Sequence, residues 1–264
     1  MKKLTQFHPF HMVQLSPWPL ICSFSLFSMI ILMYDFFNSS SLKSLIFAVL
    51  IQLLVLFEWW RDVCRESTFQ GWHSSNVVRG LKIGFIMFIC SEVLFFFSFF
   101  FGYFFLSLNP DVVFGGIWPP KGLMVVDFLS APTLNSILLL SSGVSITWAH
   151  HSILESNLSE AKMGLVYTVF LGIMFSMIQL IEYYECSFTI ADSPFGSMFF
   201  LATGFHGIHV LVGTIFIIIS FVRLLNNQFS KNHHVGFEMS CWYWHFVDVV
   251  WLFLFVRVYW MEGM

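Results

Sequence analysis

Residues 81–108 read LKIGFIMFICSEVLFFFSFFFGYFFLSL, and this stretch decides the fold class. Its 28 residues carry only two formal charges, those of Lys82 and Glu92. At about 1.5 Å of rise per residue, a helix of this length spans roughly 42 Å, which exceeds a hydrocarbon core of about 30 Å. The stretch is therefore predicted to be a transmembrane helix. Lys82 lies at one end, where we expect its amine to reach the water at the membrane surface.

Glu92 is the residue that makes this helix unusual. It lies ten residues after Lys82, about 15 Å further along the helix and near the bilayer midplane. An ionised carboxylate at that depth costs on the order of 2.5 kcal/mol or more on insertion scales. Since residues 88–89 and 93–96 offer no charge, we expect Glu92 to be neutral or to meet a polar group from another helix. A buried carboxyl that serves packing and a titrating group in a proton path both remain open.

The composition indicates that lipid is the main solvent of this chain. The 264 residues are 58% hydrophobic and 10% charged, and the mean hydropathy is +0.79. A soluble domain carries about 25% charged residues. The net charge of −3 is spread thinly and gives no nucleic-acid footprint. The five cysteines form no CxxC pair, so their spacing predicts neither a disulfide framework nor a zinc site.

Six further apolar segments are also predicted to span the membrane, the second of them being short. The predicted spans lie at about 16–34, 42–59, 81–108, 133–151, 161–181, 195–221 and 235–259. The predicted fold class is an all-α membrane protein with seven transmembrane helices. Between the second and third spans, residues 59–79 place paired tryptophans beside mixed charge, a pattern typical of a membrane–water interface.

The distribution of basic residues predicts the orientation. Seven spans place the two termini on opposite sides of the membrane. With the N-terminus inside, nine of the twelve basic residues lie inside, namely Lys2, Lys3, Arg61, Arg65, Arg79, Lys82, Lys162, Arg223 and Lys231. The other three lie outside, namely Lys43, Lys121 and Arg257. The positive-inside rule therefore favours an inside N-terminus and an outside C-terminus.

Five polar residues form an intramembrane stripe on the last two spans. His206 and His209 are three residues apart and share a face, and His245 and Asp248 repeat that spacing, with Glu238 one heptad earlier. A haem or metal site, or a proton relay, is one interpretation. We favour a second interpretation, in which the polar residues of one span face those of the other and interhelical hydrogen bonds join the two helices.

Two further groups of residues are candidate binding sites. The pairs His150–His151 and His233–His234 lie at predicted helix ends, and adjacent helical residues point about 100° apart, so each pair would need ligands from elsewhere. We therefore predict no metal site and no redox centre on this chain. Arg65, His73 and Arg223 fall at the inner boundary, where they suit anionic lipid headgroups or serve as ordinary flanking charge.

Long strings of residues give the chain a family resemblance. They include WWRDVCRESTFQG (59–71), GGIWPP (115–120), SGVSITWAHHS (142–152), ATGFHGIHV (202–210) and WYWHFVDVVWLFL (242–254). With these strings the chain resembles cytochrome c oxidase subunit III over nearly its whole length, and the mitochondrial form in particular.

The resemblance implies an architecture and a location. In this family a two-helix group (I–II) and a five-helix group (III–VII) are separated by a lipid-filled cleft, which here divides the chain into residues 1–75 and 76–264. It also implies the inner mitochondrial membrane, with the N-terminus in the matrix and the C-terminus in the intermembrane space. The main implied partner is subunit I, and other complex IV subunits are implied as well. The resemblance leaves open whether the chain also contacts partners in a respiratory supercomplex.

The resemblance also implies roles for particular residues. Glu92 matches the family's buried, carbodiimide-reactive glutamate, and Arg65, His73 and Arg223 match positions around the cleft phospholipids. The family's chain carries no catalytic residue and no cofactor besides bound phospholipid, because haem and copper belong to partner subunits.

Two functions from different classes follow as hypotheses. In the first, the chain is a subunit without redox centres that stabilises the catalytic subunit, binds phospholipid and supports proton uptake while cytochrome c reduces oxygen to water. In the second, it is a stand-alone seven-helix protein that conducts protons or ions through Glu92 and the polar stripe. We favour the first, because a self-sufficient path would need more ionisable groups near Glu92.

Overall fold

The computed structural model describes residues 8, 10–39 and 42–263, and its regular structure is helical. Seven long helices follow one another: α1 (Trp18–Ser39), α2 (Leu42–Thr68), α3 (Ser75–Leu108), α4 (Ala131–Leu154), α5 (Leu158–Glu185), α6 (Pro194–Leu225) and α7 (Val235–Leu254). Each, with the turns that continue α7, is long and apolar enough to cross a membrane. No β-strand occurs in the described residues. The prediction of an all-α membrane protein with seven helices is confirmed.

Short helical turns and polar caps define where the long helices begin and end. A 3₁₀ turn (Val112–Phe114) lies between α3 and α4, a π-helical turn (Phe255–Trp260) follows α7, and one α-helical turn (Met261–Gly263) follows that. At the start of α6, the Ser193 hydroxyl accepts a hydrogen bond of 3.1 Å from the backbone N–H of Gly196. Such a cap satisfies a donor that the first turn of a helix otherwise leaves unpaired.

The second helix is longer than its apolar segment. The predicted span ends at about residue 59, whereas α2 continues to Thr68. Charged pairs three residues apart stabilise this extension. Arg61 Nη2 lies 2.5 Å from Glu58 Oε2, and Arg65 Nη1 lies 3.6 Å from Asp62 Oδ1. Hydropathy marks only the part of a helix that lies in lipid, so the helix runs on into the polar segment.

The chain divides into two compact units, residues 1–81 and residues 82–264, with the boundary inside α3. In the first unit α1 packs against α2. Polar side chains join the two helices: Ser25 Oγ donates to Gln52 Oε1 at 2.5 Å, and Trp18 Nε1 donates to Asp62 Oδ2 at 2.7 Å. The first bond joins the two helices within their apolar segments, and the second joins them near the polar end of α2.

In the second unit, α5 packs against α4 and α6, and α7 packs against α4 and α6. The core is built around two fully buried tryptophans of α7, Trp244 and Trp251. Their indole N–H groups donate to Ser142 Oγ at 2.9 Å and Ser136 Oγ at 3.0 Å, both on α4. Because the indole donors are satisfied inside the bundle, the large rings can be buried without an unpaired polar group. This packing fixes the helix faces that carry the polar residues described below.

Candidate functional site

The Glu92 carboxyl of α3 contacts a histidine of α6. Glu92 Oε2 lies 2.9 Å from His209 Nε2, and 22% and 12% of the two side chains are exposed. The flanks of Glu92 on its own helix are apolar, so its polar partner comes from a helix more than a hundred residues later. The sequence predicts that both residues lie inside the membrane but does not show that they pair, since periodicity indicates which residues share a face and not which helix that face meets.

The other nitrogen of His209 shows how protons are arranged in this pair. His209 Nδ1 lies 2.7 Å from the carbonyl oxygen of Phe205. A carbonyl only accepts hydrogen bonds, so Nδ1 carries a hydrogen. If the ring is neutral, Nε2 is then an acceptor and the Glu92 carboxyl must donate. If the ring is charged, Nε2 donates to a carboxylate. In both states the contact between Oε2 and Nε2 holds one proton, which can lie on either side.

Aromatic rings surround the imidazole of His209. The ring of Phe96 meets the His209 imidazole edge to face with centroids 4.9 Å apart, and Tyr243 stacks on it at 6.2 Å. Phe95 lies 6.1 Å from the same ring. A low-dielectric surrounding strengthens the hydrogen bond and makes an unpaired charge costly. Separating Glu92 from His209 in these surroundings would therefore be costly.

Lys82 forms an ion pair with Glu238 of α7. Its Nζ lies 2.6 Å and 2.9 Å from the two carboxylate oxygens, and 35% of its side chain is exposed. The carboxylate of α7 neutralises the amine, and the expectation that the amine reaches water stays a prediction. Both formal charges of residues 81–108 are thus matched by other helices.

The polar stripe does not form one interhelical ladder. His206 Nε2 contacts the carbonyl oxygen of Val247 on α7 at 3.2 Å, which is the point where the two halves of the stripe meet. His209 and Glu238 turn instead towards α3. His245 Nδ1 lies 3.5 Å from Asp248 Oδ2 on its own helix.

Of the five residues, only His206 therefore forms the expected hydrogen bond between the two helices of the stripe, although the His209 ring also stacks on Tyr243 of α7. The reason is that α7 packs against both α4 and α6, so its polar face meets different neighbours along its length. His245 Nε2 lies 3.5 Å from the Thr147 hydroxyl of α4, and Asp248 lies against Gly143 of the same helix.

The histidine pairs at the helix ends come together in part. The rings of His150 and His234 lie 5.5 Å apart, edge to face, at the end of α4 and the start of α7. His234 Nδ1 contacts the carbonyl oxygen of Ser230 at 3.0 Å. Across residues 8, 10–39 and 42–263, no three His, Cys, Asp or Glu side chains are grouped so as to hold a metal ion.

The three predicted lipid-binding residues belong to different units. Arg65 and His73 are in the first unit, where Arg65 is ion-paired to Asp62 and the His73 ring lies 5.7 Å from that of His11. Arg223 is in the second unit. Its Nε donates to Gln228 Oε1 at 3.1 Å, and its guanidinium lies 4.6 Å from the centre of the Phe229 ring.

Comparison with known proteins identifies the family. A family model described as cytochrome c oxidase subunit III matches residues 8–263. The chain belongs to this family. Relatives named cytochrome c oxidase subunit 3 are 51% identical in Drosophila melanogaster (97% of this chain, 98% of that one), 52% in Patiria pectinifera (97% and 99%) and 51% in Antilope cervicapra (97% and 98%). This confirms the family resemblance of the sequence strings.

Proposed function

We propose that this chain is a subunit of cytochrome c oxidase that carries no redox centre of its own. The observation that carries the proposal is the match to the subunit III family along residues 8–263. This chain covers 98–99% of the length of the relatives from Drosophila melanogaster, Patiria pectinifera and Antilope cervicapra. In this role the chain is a multi-pass protein of the mitochondrial inner membrane and part of an oxidoreductase complex. Its main contact is subunit I, which would hold haem and copper together with subunit II.

Gentle extraction tests the class of function. We expect the chain, solubilised in a mild detergent and captured by a tag at its C-terminus, to be recovered with haem-bearing and copper-bearing chains. Recovery of the chain alone, without haem absorbance, would contradict a role as an oxidase subunit.

Within the complex, we propose that the Glu92–His209 pair supports proton uptake. The pair holds one proton in the Oε2···Nε2 contact, and both nitrogens of the imidazole are already oriented. A group that holds one proton between two atoms can pass it on when a neighbour changes charge. Glu92→Gln keeps the shape and removes the titrating acid. We expect it to leave haem content unchanged, to abolish labelling by a hydrophobic carbodiimide and to lower the number of protons pumped per electron.

The matched control for Glu92→Gln is Glu185→Gln, at the exposed end of α5. It removes one carboxylate from the same chain, outside the Glu92–His209 pair, and we expect it to change neither labelling nor pumping. Equal pumping by Glu92→Gln and the native complex would refute the proton-uptake role while leaving the subunit assignment intact.

We further propose that Arg65, His73 and Arg223 bind anionic phospholipid. The support is their chemistry: two guanidinium groups, each near the end of its helix, and the imidazole of the segment between α2 and α3 can donate hydrogen bonds to phosphate. Arg223→Ala should lower the anionic phospholipid retained by the purified complex before electron transfer falls. Lys231→Ala removes an exposed positive charge nearby in sequence and serves as the control. Unchanged lipid content in Arg223→Ala would count against the lipid site.

The stand-alone conductor remains the alternative. Its support is the same set of intramembrane ionisable groups, from Glu92 to His245 and Asp248. Reconstitution of the purified chain into vesicles distinguishes the two functions. We expect no proton flux above that of empty vesicles, whereas flux abolished by Glu92→Gln would favour a conductor.

A further inference from the structure

His245 is an ionisable residue of α7 that the rest of the second unit leaves uncovered. Between Val235 and Trp251, only His245 and Val249 are exposed, and 46% of the His245 side chain is accessible. Its imidazole lies beside Gly143, near the middle of α4, because a Cβ added at Gly143 would lie 3.8 Å from His245 Cε1. At about 1.5 Å of rise per residue, Gly143 is roughly 17 Å from each end of α4, so His245 lies deep in the part of the bundle that crosses the membrane.

The contacts that the described residues offer this imidazole are long. His245 Nδ1 lies 3.5 Å from Asp248 Oδ2, and His245 Nε2 lies 3.5 Å from the Thr147 hydroxyl oxygen. The other carboxyl oxygen of Asp248 is buried and forms no hydrogen bond with the described part of the chain. Ionisable side chains within membrane helices nearly always face a bundle interior, a water-filled cavity or a polar partner. An exposed imidazole at this depth therefore indicates a contact with another chain.

The hydrogen bonds of Thr147 show what that contact must supply. The Thr147 hydroxyl donates to the Gly143 carbonyl oxygen at 2.8 Å, so it can only accept from His245. Nε2 of His245 must then carry a hydrogen. With this hydrogen in place, the contact between Nδ1 and Asp248 pairs either a charged ring with a carboxylate or a neutral ring with a protonated acid. Both arrangements are neutral overall, so the exposed Nε2–H group needs an acceptor and no counter-charge.

Exposed apolar side chains surround this polar centre on the same face. On α7 they follow His245 by four and seven residues, and on α4 they precede Thr147 by three and seven residues, which are the spacings of one helix face. They are Val249 and Leu252 on α7 and Leu140 and Val144 on α4. A central hydrogen-bonding group within an apolar surround is typical of the contacts through which membrane helices associate.

We propose that this face of α4 and α7, centred on His245, binds a membrane-spanning helix of another oxidase subunit. That helix presents the hydroxyl or amide oxygen of a Ser, Thr, Tyr, Asn or Gln side chain at the depth of His245, and this oxygen accepts a hydrogen bond from Nε2. A neutral acceptor fits better than a carboxylate because the His245–Asp248 pair is already neutral. The inference rests on the proposed function and adds the surface and the chemistry of the partner.

A photoreactive side chain tests which molecule covers this face. With a benzophenone-bearing phenylalanine in place of Val249 in the intact oxidase, we expect a cross-link to a transmembrane segment of another subunit. Phe170, an exposed residue of α5, is the matched position, and there we expect the same group to label lipid. Mass spectrometry of the product identifies the cross-linked segment. Labelling at position 249 of lipid alone, of a second copy of this chain, or of α1 or α2 of the same chain would overturn the proposal.

Two substitutions test the hydrogen bond itself. His245→Leu removes the Nε2–H donor, and we expect the dissociation constant of this chain from the detergent-solubilised complex to rise about threefold, the factor typical of one interhelical hydrogen bond in a membrane. Asp248→Leu breaks the same contact within the chain but keeps the imidazole donor, so we expect it to bind the complex more tightly than His245→Leu does. Equal dissociation constants for the two variants would refute the hydrogen bond.

Both tests start from a complex that has been recovered with its haem. A negative result therefore overturns this interface and leaves the assignment as an oxidase subunit intact. If neither leucine variant assembles, the cross-link at position 249, made with native His245 and Asp248, still decides.

Discussion

At the scale of single residues, Lys82 and Glu92 are isolated charges in the sequence, and in the structure each contacts a partner on another helix. The sequence predicts that Glu92 is either neutral or hydrogen-bonded, and the contact with His209 supplies the hydrogen bond. It could not name the partner, because His206 and His209 lie on one face and either could have pointed to α3. The structure separates them: His206 is fully buried against α7, and His209 reaches α3.

A double-mutant cycle measures the coupling between Glu92 and His209. Glu92→Gln and His209→Leu should each weaken retention of this chain in the complex, since each leaves a half-buried polar group without its partner. Losing a partner of this kind costs about 1–3 kcal/mol. The double variant should cost less than the sum of the two, with a coupling of roughly 0.5–3 kcal/mol. The denaturant midpoint for release of the chain is the measurement, and strict additivity would mean that the two side chains do not interact.

The Cys186 thiol gives a prediction about pH. Cys186 follows the end of α5, and burial, assisted by the nearby Glu182 carboxyl, raises the pKa of its thiol to about 11. The thiolate is the reactive form. Alkylation of Cys186 should therefore accelerate about tenfold per pH unit as the pH rises from 8 towards 10, because the reactive fraction grows tenfold per unit below the pKa. Mass spectrometry of the alkylated peptide follows the rate, and a plateau below pH 9 would contradict the raised pKa.

At the scale of helices, the sequence predicts the number and kind of elements better than their limits. Hydropathy locates the segments that lipid surrounds, but a helix ends where its hydrogen-bond ladder ends. This is why α2 runs nine residues past its predicted end, with ion pairs three residues apart along the extension. The packing faces of the helices could not be predicted either. Helices approach each other closely at glycines, and the sequence does not show which residues those glycines contact.

Gly164 tests the closest of these approaches. A Cβ added there would lie 2.9 Å from both the Ser145 carbonyl oxygen and the Ala149 Cβ on α4. Since the α4 backbone cannot yield as a flexible side chain does, Gly164→Ala should destabilise the second unit by about 1–3 kcal/mol. Gly84→Ala on α3 meets no atom within 4 Å and should be neutral or stabilising by up to about 1 kcal/mol. Thermal release of the chain from the complex compares them, and equal effects would argue against tight α4–α5 packing.

At the scale of the whole molecule, the charge distribution predicts an orientation that the helices alone do not fix. Lys2 and Lys3 lie outside the described residues. The remaining inside residues, from Arg61 to Lys231, still outnumber Lys43, Lys121 and Arg257. Nothing in the arrangement of seven helices distinguishes one face of the membrane from the other, so the orientation stays a prediction of the positive-inside rule.

Site-directed labelling tests this orientation. A cysteine introduced at Lys121, in the segment between α3 and α4, should react with a membrane-impermeant maleimide added to mitoplasts. A cysteine introduced at Lys162, near the start of α5, should react only after the inner membrane is opened. The native chain, with its five cysteines, provides the background. The reverse pattern would place the N-terminus in the intermembrane space.

The partners of α3 lie late in the chain, and this has a consequence for biosynthesis. Lys82 and Glu92 are matched by residues that follow them by 156 and 117 positions, on α7 and α6. When α3 leaves the ribosome, neither counter-group has yet been synthesised. The insertion machinery must therefore hold a helix with an unmatched amine and acid until the last two helices arrive. A nascent chain stopped after α5 would keep both defects, which makes it a substrate for membrane proteases.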